Sequence, residues 1–414
     1  MPFSRLGLMP EIERALAQHR YAEPTPVQQE VIPLVLSGRD VMARSQTGSG
    51  KSASFVLPLL QLWSQRRGEG KAKIKALVLT PTRELTLQVA KAFEDFGAFL
   101  PVRPKVVSII GGEKIGEQLY AVQQGCDIVV ATSGRLIDVL NKKQMDLSRL
   151  EFLVLDEADR MLDLGFAEEL DVILPLLPPK RQNLLFSATY PPKMEMIAAR
   201  ITTEAVEVAF ESEAPTVQSI SQRVIEVDRE MRGPLLRHLL ESEPWEQVLV
   251  FMANKRAADN IAAKFRKYGF EADSFHSDLT QEERNAVLSD FKAKRFRVLF
   301  ATDLVSRGLH IDDIACVVNF DLPRSPSDYI HRIGRTGRAG REGVAISFID
   351  HETRSHFRVI EKRAAIRLPR ERVEGFPLTG ETPKKVKGPA PVKGNKKSKK
   401  DKLREAAQKA GEGK

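Results

Sequence analysis

The sequence predicts an α/β protein built from two successive doubly wound parallel sheets, followed by a basic, disordered tail. Short Val/Ile/Leu-rich runs alternate with longer segments of helical period, and that rhythm occurs in two consecutive stretches. After about Leu368 the apolar periodicity stops and Lys, Gly and Pro take over. Runs that are apolar on both faces suit strands covered by helices on each side, and a βαβα rhythm means a parallel sheet.

In the first stretch the strand candidates are Ala76–Thr80, Val106–Ile110, Ile128–Ala131, Phe152–Leu155 and Leu184–Phe186, with a shorter one over Asp40–Met42. The second offers Val224–Val227, Val248–Met252, Val298–Ala301, Val317–Asn319 and Val344–Ile349. Helical spacing between them is clearest over Arg256–Tyr268, where Ala257, Ile261 and Phe265 share a face and Gly269 ends the helix. The acidic, Pro-containing stretch Phe210–Val217 reads as a linker. The expected divisions are therefore 1–209, a linker over 210–217, a second domain over 218–370, and a tail over 371–414 that should stay unfolded in isolation.

Charge follows the same division. The chain carries a formal +9, and Pro383–Lys414 holds 12 Lys or Arg against 3 acids, so the whole excess resides there. The body before it is neutral, and the tail is an electrostatic arm. No apolar run approaches the length of a membrane span. Charges scattered through Met1–Arg20 leave no apolar core for a signal peptide. Cys126 and Cys316 sit in apolar strand-like runs and read as small buried hydrophobes in a reducing, cytoplasmic compartment, with no disulfide or metal role.

Chemistry concentrates in three places. Ser45-Gln46-Thr47-Gly48-Ser49-Gly50-Lys51-Ser52 lies between a short strand and a helix. Gly48 and Gly50 let backbone amides turn inward around phosphate oxygens at the positive end of that helix. Lys51 would reach the β- and γ-phosphates of a nucleotide, and the Ser52 hydroxyl would ligate Mg2+. The strict phosphate-loop pattern carries Gly where this chain has Ser45. Strand Phe152–Leu155 ends in Asp156-Glu157-Ala158-Asp159, and acids there stand in the crevice where α/β sheets bind ligands. Asp156 would hold the metal through water, while Glu157 would orient and deprotonate an attacking water. In His331-Arg332-Ile333-Gly334-Arg335-Thr336-Gly337-Arg338, Arg335 and Arg338 are poor packing material but good phosphate clamps. Their distance in sequence from the phosphate loop has them acting across a cleft between domains.

With these residues in this order, the chain resembles the DEAD-box RNA helicases from Phe3 to about Leu368. Its short N-terminus and lack of a folded C-terminal module look most like the bacterial RhlE-type group. Phe3 and Tyr21–Gln28 resemble the isolated aromatic and the Q motif, which implies that Gln28 reads the adenine edge while Tyr21 packs on the base. Pro81-Thr82-Arg83-Glu84-Leu85, Gly111-Gly112 and Thr132–Arg135 resemble the RNA-backbone motifs of the first domain, implicating Pro81, Arg83, Gly112, Thr132 and Arg135. Ser187-Ala188-Thr189 resembles the motif that links hydrolysis to strand opening, and the resemblance implies Asp159, Ser187 and Thr189 as coupling residues. Val250-Phe251, Gln281–Arg284 and Ala301-Thr302-Asp303 look like the remaining motifs, implicating Arg284 and Thr302 in RNA binding and Asp303 and His331 in coupling.

The resemblance implies two tandem RecA-like domains with ATP and Mg2+ between them. It further implies RNA held through phosphates and sugar hydroxyls, with little sequence preference, and local unwinding of short duplexes. Ribosomal precursors or the RNA-degradation machinery are the expected partners. The chain departs from the family pattern at Ser133, where Pro is usual, and at Ser277, where Gly often follows the motif His. It departs again at His310, which stands where an Asp contacts the ribose. An ATP-gated RNA clamp or annealing chaperone is the alternative reading, and a DNA helicase a weaker one.

Overall fold

A computed structural model of the 414-residue chain describes residues 2–45, 49–68, 70–190, 192–210, 220–303, 314–337 and 343–380. One compact unit spans Met1–Leu378 and a second spans Thr379–Lys414, of which only Thr379 and Gly380 are described. The rest of the expected tail and residues 211–217 of the expected linker lie outside the described residues.

The first sheet contains β1 (Val41–Arg44), β2 (Ala76–Leu79), β3 (Val106–Ile109), β4 (Ile128–Ala131), β5 (Phe152–Leu155), β6 (Gln182–Ser187) and β7 (Val206–Ala209). The second contains β8 (Ile220–Glu226), β9 (Val248–Met252), β10 (Ala272–Phe275), β11 (Val298–Thr302), β12 (Cys316–Asn319), β13 (Gly343–Ile349) and β14 (Arg370–Glu371). Both are seven-stranded, in the orders β3-β4-β2-β5-β6-β1-β7 and β10-β11-β9-β12-β13-β8-β14. Every recorded pairing is parallel. The second order is the first advanced by seven strands, so one architecture occurs twice. These are the two tandem RecA-like domains that the sequence implied.

Among the described residues, alternation along the central strands divides the first domain's buried residues into two cores, while the second domain's form three clusters. Ala76 and Val78 of β2 join Val130, Val154 and Phe186 beneath the helix Lys51–Arg66. Leu77 and Leu79 point the other way, toward Leu153, Leu155 and Leu185. Successive side chains on a strand face opposite sides, so strands apolar throughout must be covered twice. Cys126 and Cys316 are buried in these layers with free thiols, and burial pushes the Cys126 thiol up to about 12. No helix among the described residues is long and apolar enough to cross a membrane.

The sequence patterning located the central strands but passed over β7, β10 and β14. All of these lie at sheet edges, where Glu207, Asp273 and Arg370 interrupt the apolar run because one side meets water. The helix expected over Arg256–Tyr268 spans Lys255–Lys267, with the Asn254 side chain accepting from Ala257 N at 2.9 Å. Its buried stripe is Ala258, Ala262 and Phe265, while Ala257 and Ile261 flank it.

Two boundaries move. Phe210 packs against the first core, and its amide donates to Arg44 O at 3.0 Å, so it belongs to the sheet rather than the linker. Past residue 370, β14 pairs with β8, and Val373 and Phe376 pack on the second core. Isolated apolar residues without a period give a sequence reading nothing to follow there. A chain ending at Leu378 is expected to keep the thermal midpoint of the whole protein, whereas one ending at Leu368 unfolds earlier. Phe376→Ala alone should cost about 1–2 kcal/mol, because its half-buried ring loses part of a full burial term. Calorimetry of the truncations and the variant checks this, and equal midpoints would return these residues to the tail.

Candidate active site at the carboxyl edges of the sheets

The phosphate loop leaves β1 at Arg44, and Ser45 N donates to Ser187 O of neighbouring β6 at 3.0 Å. Gly50 caps the helix Lys51–Arg66 with φ of 91°, a left-handed conformation open to glycine. A Cβ there would meet Gln28 Nε2 at 2.5 Å. Lys51 is only 6% exposed, and its Nζ donates to Ser45 O at 2.6 Å, so the ammonium lies inside the curl of the loop. The Ser45 and Ser49 hydroxyls are hydrogen-bonded to each other, and Ser52 is half-buried in the first turn. Gln46, Thr47 and Gly48 lie outside the described residues.

Gln28 is buried, and both ends of its amide are engaged. Its Oε1 accepts from Thr25 N at 3.0 Å, and its Nε2 donates to Gly50 O at 3.1 Å. The structure thus ties Gln28 to the phosphate loop. One lone pair and one N–H remain for a second partner. Tyr21 stands edge-on to Phe3 and Phe96 with 40% of its surface exposed, which leaves ring area for a ligand.

At the end of β5 the backbone turns sharply. Glu157 has φ of 51° and ψ of 49°, a strained conformation for a residue with a side chain. Its carboxylate is buried and ion-paired with Arg160. Burial works against ionisation, but Arg160, Lys51 and Arg335 outweigh it and hold the carboxyl down at about 2. Arg335, 5% exposed, comes from the second domain, so the cleft between the domains closes around this acid. His331 arrives with it. Burial and the cations Arg160 and Arg335 push its imidazole down to about 4, against the pull of Asp159 and Glu157. Asp156 is buried beside them and accepts from Glu157 N at 2.9 Å. Arg338 and His310 lie outside the described residues.

Asp159 closes a second network. Its Oδ2 accepts from Thr189 N at 2.8 Å and Thr189 Oγ1 at 2.9 Å. Ser187 Oγ accepts from Asp159 N at 3.2 Å and donates to Thr189 O at 2.6 Å. These bonds tie the acids to the segment after β6. In the second domain, Arg332 grips Asp303 with Nε and Nη2, each at 2.6 Å. It also reaches Asn319 Oδ1 at 3.0 Å and lies over the Phe251 ring.

A cavity of about 390 Å³ opens at the same carboxyl edges. Pro81, Arg83, Thr132 and Arg135 line it from the first domain, Ser277 and Arg284 from the second. Gly112 lies directly beneath the Arg83 guanidinium with φ of 87°, a left-handed backbone that favours glycine. Arg135 Nη1 donates to Glu113 O at 2.9 Å. Thr302 ends β11 half-buried, outside the cavity lining. Across the cleft, Arg284 Nη2 stands 2.5 Å from Glu84 Oε1, both groups buried. Ser133 donates its hydroxyl to Glu169, which also lines the cavity.

The sequence reading assigned no role to Glu84, Arg160, Glu169 or Arg332. Arg160 was within reach, since it lies one helical turn beyond Glu157. The other contacts join segments distant in sequence and had no local signal.

The chain matches the DEAD/DEAH box helicase family over residues 25–197 and the helicase conserved C-terminal domain over 232–340. The DEAD-box ATP-dependent RNA helicase CshA of Bacillus subtilis (strain 168) is 38% identical over 368 residues, covering 89% of this chain and 73% of the relative. Its counterpart from Geobacillus kaustophilus is also 38% identical, covering 89% and 78%. Among solved structures, S. cerevisiae Dbp5 bound to RNA and ADP BeF3 aligns with a TM-score of 0.78 at 31% identity, covering 90% of this chain and 95% of that one. Mss116p bound to ssRNA and AMP-PNP aligns with 0.80 at 28% identity, covering 90% and 78%.

Two outcomes follow from this geometry. Glu169 places a negative charge among Arg83, Arg135 and Arg284, where a polyanion would lie. Glu169→Gln keeps a partner for Ser133 and should tighten single-stranded RNA binding by about 1 kcal/mol, roughly fivefold, at low salt. Unchanged affinity would mean the carboxylate does not face the ligand. For His331 the folded value is below the ordinary 6.5, so acid protonates the separated domains before the closed cleft. Closure is fully favoured above pH 6.5 and weakens as pH falls from 6.5 toward 4. Glu157, held near 2, stays charged across that window. RNA-dependent ATP turnover should decline below pH 6.5, and His331→Asn should flatten the decline; a parallel profile in the variant would remove His331 from the effect.

Proposed function

The chain belongs to the DEAD-box ATP-dependent RNA helicase family, and from that premise we propose how its residues carry out the reaction. RNA-stimulated ATP hydrolysis is coupled to local opening of short duplexes and to remodelling of RNA–protein complexes. The observation that carries this reading is the gathering of Lys51, Arg160 and Arg335 about the buried Glu157, with Arg335 supplied by the other domain.

ATP is placed with its phosphates in the curl Ser45–Ser52 and its base near Tyr21 and Gln28. Magnesium fits one carboxylate, one hydroxyl and phosphate oxygens, the donor set Asp156 and Ser52 would complete. When bound, it would neutralise charge on the β- and γ-phosphates. Glu157 orients the attacking water. A carboxylate held near 2 is a poor proton acceptor, so orientation outweighs deprotonation in its role. Lys51 and Arg335 lie on either side of the transferred phosphoryl group, Arg335 as a finger from across the cleft, with Arg338 as its expected companion. His310 is proposed to face the ribose.

RNA lies along the cavity of Arg83, Arg135 and Arg284 and is read through its backbone. A strand bent to fit both domains no longer suits a duplex, so base pairs open there. Asp159, Ser187 and Thr189 on one side, and Asp303, Arg332 and His331 on the other, would pass the state of the phosphates to that cavity. Contacts of this kind select RNA by structure, as ribosomal precursors and the substrates of RNA-degradation machinery would require. The tail Pro383–Lys414 would raise affinity by a salt-dependent term. The RhlE-type grouping is proposed on the sequence resemblance alone; the relatives found carry the CshA name. A cytoplasmic location is proposed on the two buried, reduced cysteines.

Glu157→Gln should reduce ATP turnover by at least about 10²-fold while ATP-dependent RNA binding persists, because the amide keeps the shape but loses the charge and one of the two acceptor oxygens that orient the water. Arg335→Lys should lose on the order of 10²-fold as well, since a point charge cannot replace a bidentate contact. Steady-state ATPase and strand-displacement assays measure both. Wild-type turnover in either variant contradicts its assignment, and strand displacement that needs no ATP would favour the clamp or annealer.

A further inference from the structure

The neutral body of this chain also concentrates positive charge away from the cleft, beside the first sheet. Between Arg66 and Lys75 stand Arg66, Arg67, Lys71, Lys73 and Lys75, against the single acid Glu69. They border a cavity of about 250 Å³ together with Arg149, Asp127 and Trp63. Its position follows from the sheet. Lys75 and Asp127 immediately precede β2 and β4, whereas Pro81 and Thr132 of the RNA cavity follow the same strands. Four-residue strands span about 13 Å, so the two cavities lie at opposite ends of one sheet. That exceeds the Debye length of about 8 Å at physiological salt, so this charge contributes little to the potential in the cleft.

Folding accounts for part of the cluster. Glu151 pairs with Lys75 and, at 3.5 Å, with Arg66, whose guanidinium also covers the Phe152 ring. Asp127 accepts from Lys105 N at 2.9 Å. Asp146, on which Lys73 and Arg149 act electrostatically, is already engaged by Ser148 N at 2.9 Å. Among the described residues, Arg67, Lys71, Lys73 and Arg149 make no ion pair, and all are exposed. A helix C-terminus favours nearby cations, which explains Arg66 and Arg67 but not the others. The segment after Gly70 alternates instead, with Lys71 and Lys73 outward and Ile74 buried, so the lysines share one face. Trp63 is buried at 2% exposure and offers no face for a base.

We propose that this cavity is a second RNA site, which takes the phosphate backbone of RNA extending beyond the cleft. Unpaired cations without a stacking surface recognise phosphodiester oxyanions and ignore sequence. A flanking duplex therefore suits the site as well as a single strand. The proposal rests on RNA being the ligand of the cleft.

The test uses the full chain and a variant carrying Arg67→Gln, Lys71→Gln, Lys73→Gln and Arg149→Gln, all exposed positions remote from the catalytic residues. A short oligouridylate that fills the cleft alone should stimulate ATPase equally in both proteins. The same oligonucleotide extended by a hairpin should need about tenfold more RNA for half-saturation in the variant, with a salt slope shallower by about 3. Amine-reactive labelling read by mass spectrometry should show Lys71 and Lys73 protected by the extended RNA but not by the short one. Equal affinity and slope for the extended RNA, or no protection, overturns the proposal. So does protection by inorganic triphosphate alone, which would assign the cavity to a free phosphate ligand. Failure of the short RNA to stimulate the unaltered protein would instead overturn the cleft assignment on which the proposal rests.

Discussion

A single buried carboxylate sets the terms for this molecule. Glu157 is taken out of water at the end of β5, in a strained backbone conformation, and it remains ionised only because cations surround it. Arg160 and Lys51 come from its own domain, and Arg335 comes from the other. Removing one partner of such a buried pair costs on the order of 3–5 kcal/mol, because the charge left behind is uncompensated. The acid thus links domain closure to assembly of the site. The second domain must deliver a guanidinium before the charge is balanced from both sides, and it brings His331 within the electrostatic reach of Asp159 and Glu157.

The two sheets explain how that delivery is possible. Each presents the carboxyl ends of its strands to the cleft, where strand-to-helix turns leave backbone amides and short side chains free to meet a ligand. Because the second sheet repeats the order of the first, two similar edges face each other. The Arg284–Glu84 pair is a further tie across the cleft, seated beside the RNA cavity. The proposed nucleotide and RNA sites therefore share one interface. The hydrogen bonds that Thr189 donates to Asp159 and Ser45 donates to Ser187 link the loops between them.

Charge placement matters more here than charge total. The body is neutral, yet arginines crowd the cavity at the carboxyl edges and lysines gather at the opposite end of the first sheet. A uniformly basic surface would hold polyanions everywhere and release them slowly. Cations set in cavities restrict binding to defined paths. Glu169, held by Ser133 in the proposed RNA cavity, would moderate the same attraction.

Much of this was open to reading from the residues alone. The central strands are apolar on both faces and so declare themselves without any partner, as Ile128–Ala131, Phe152–Leu155 and Val248–Met252 did to the residue. The phosphate loop and the Asp-Glu-Ala-Asp run were legible because their chemistry needs fixed residue types at fixed short spacing. The edge strand β3 was legible, but β7, β10 and β14 were not, since Glu207 and Asp273 answer to water on one side as much as to the sheet. Val373 and Phe376 were lost to the tail for want of a period. Nor could the sequence place Glu84 against Arg284, Ser133 against Glu169 or Arg332 against Asp303, because each pair joins segments that only the fold brings together. Local pattern determined which groups this protein owns; tertiary structure decided which of them share a low-dielectric space, and there proximity governs charge.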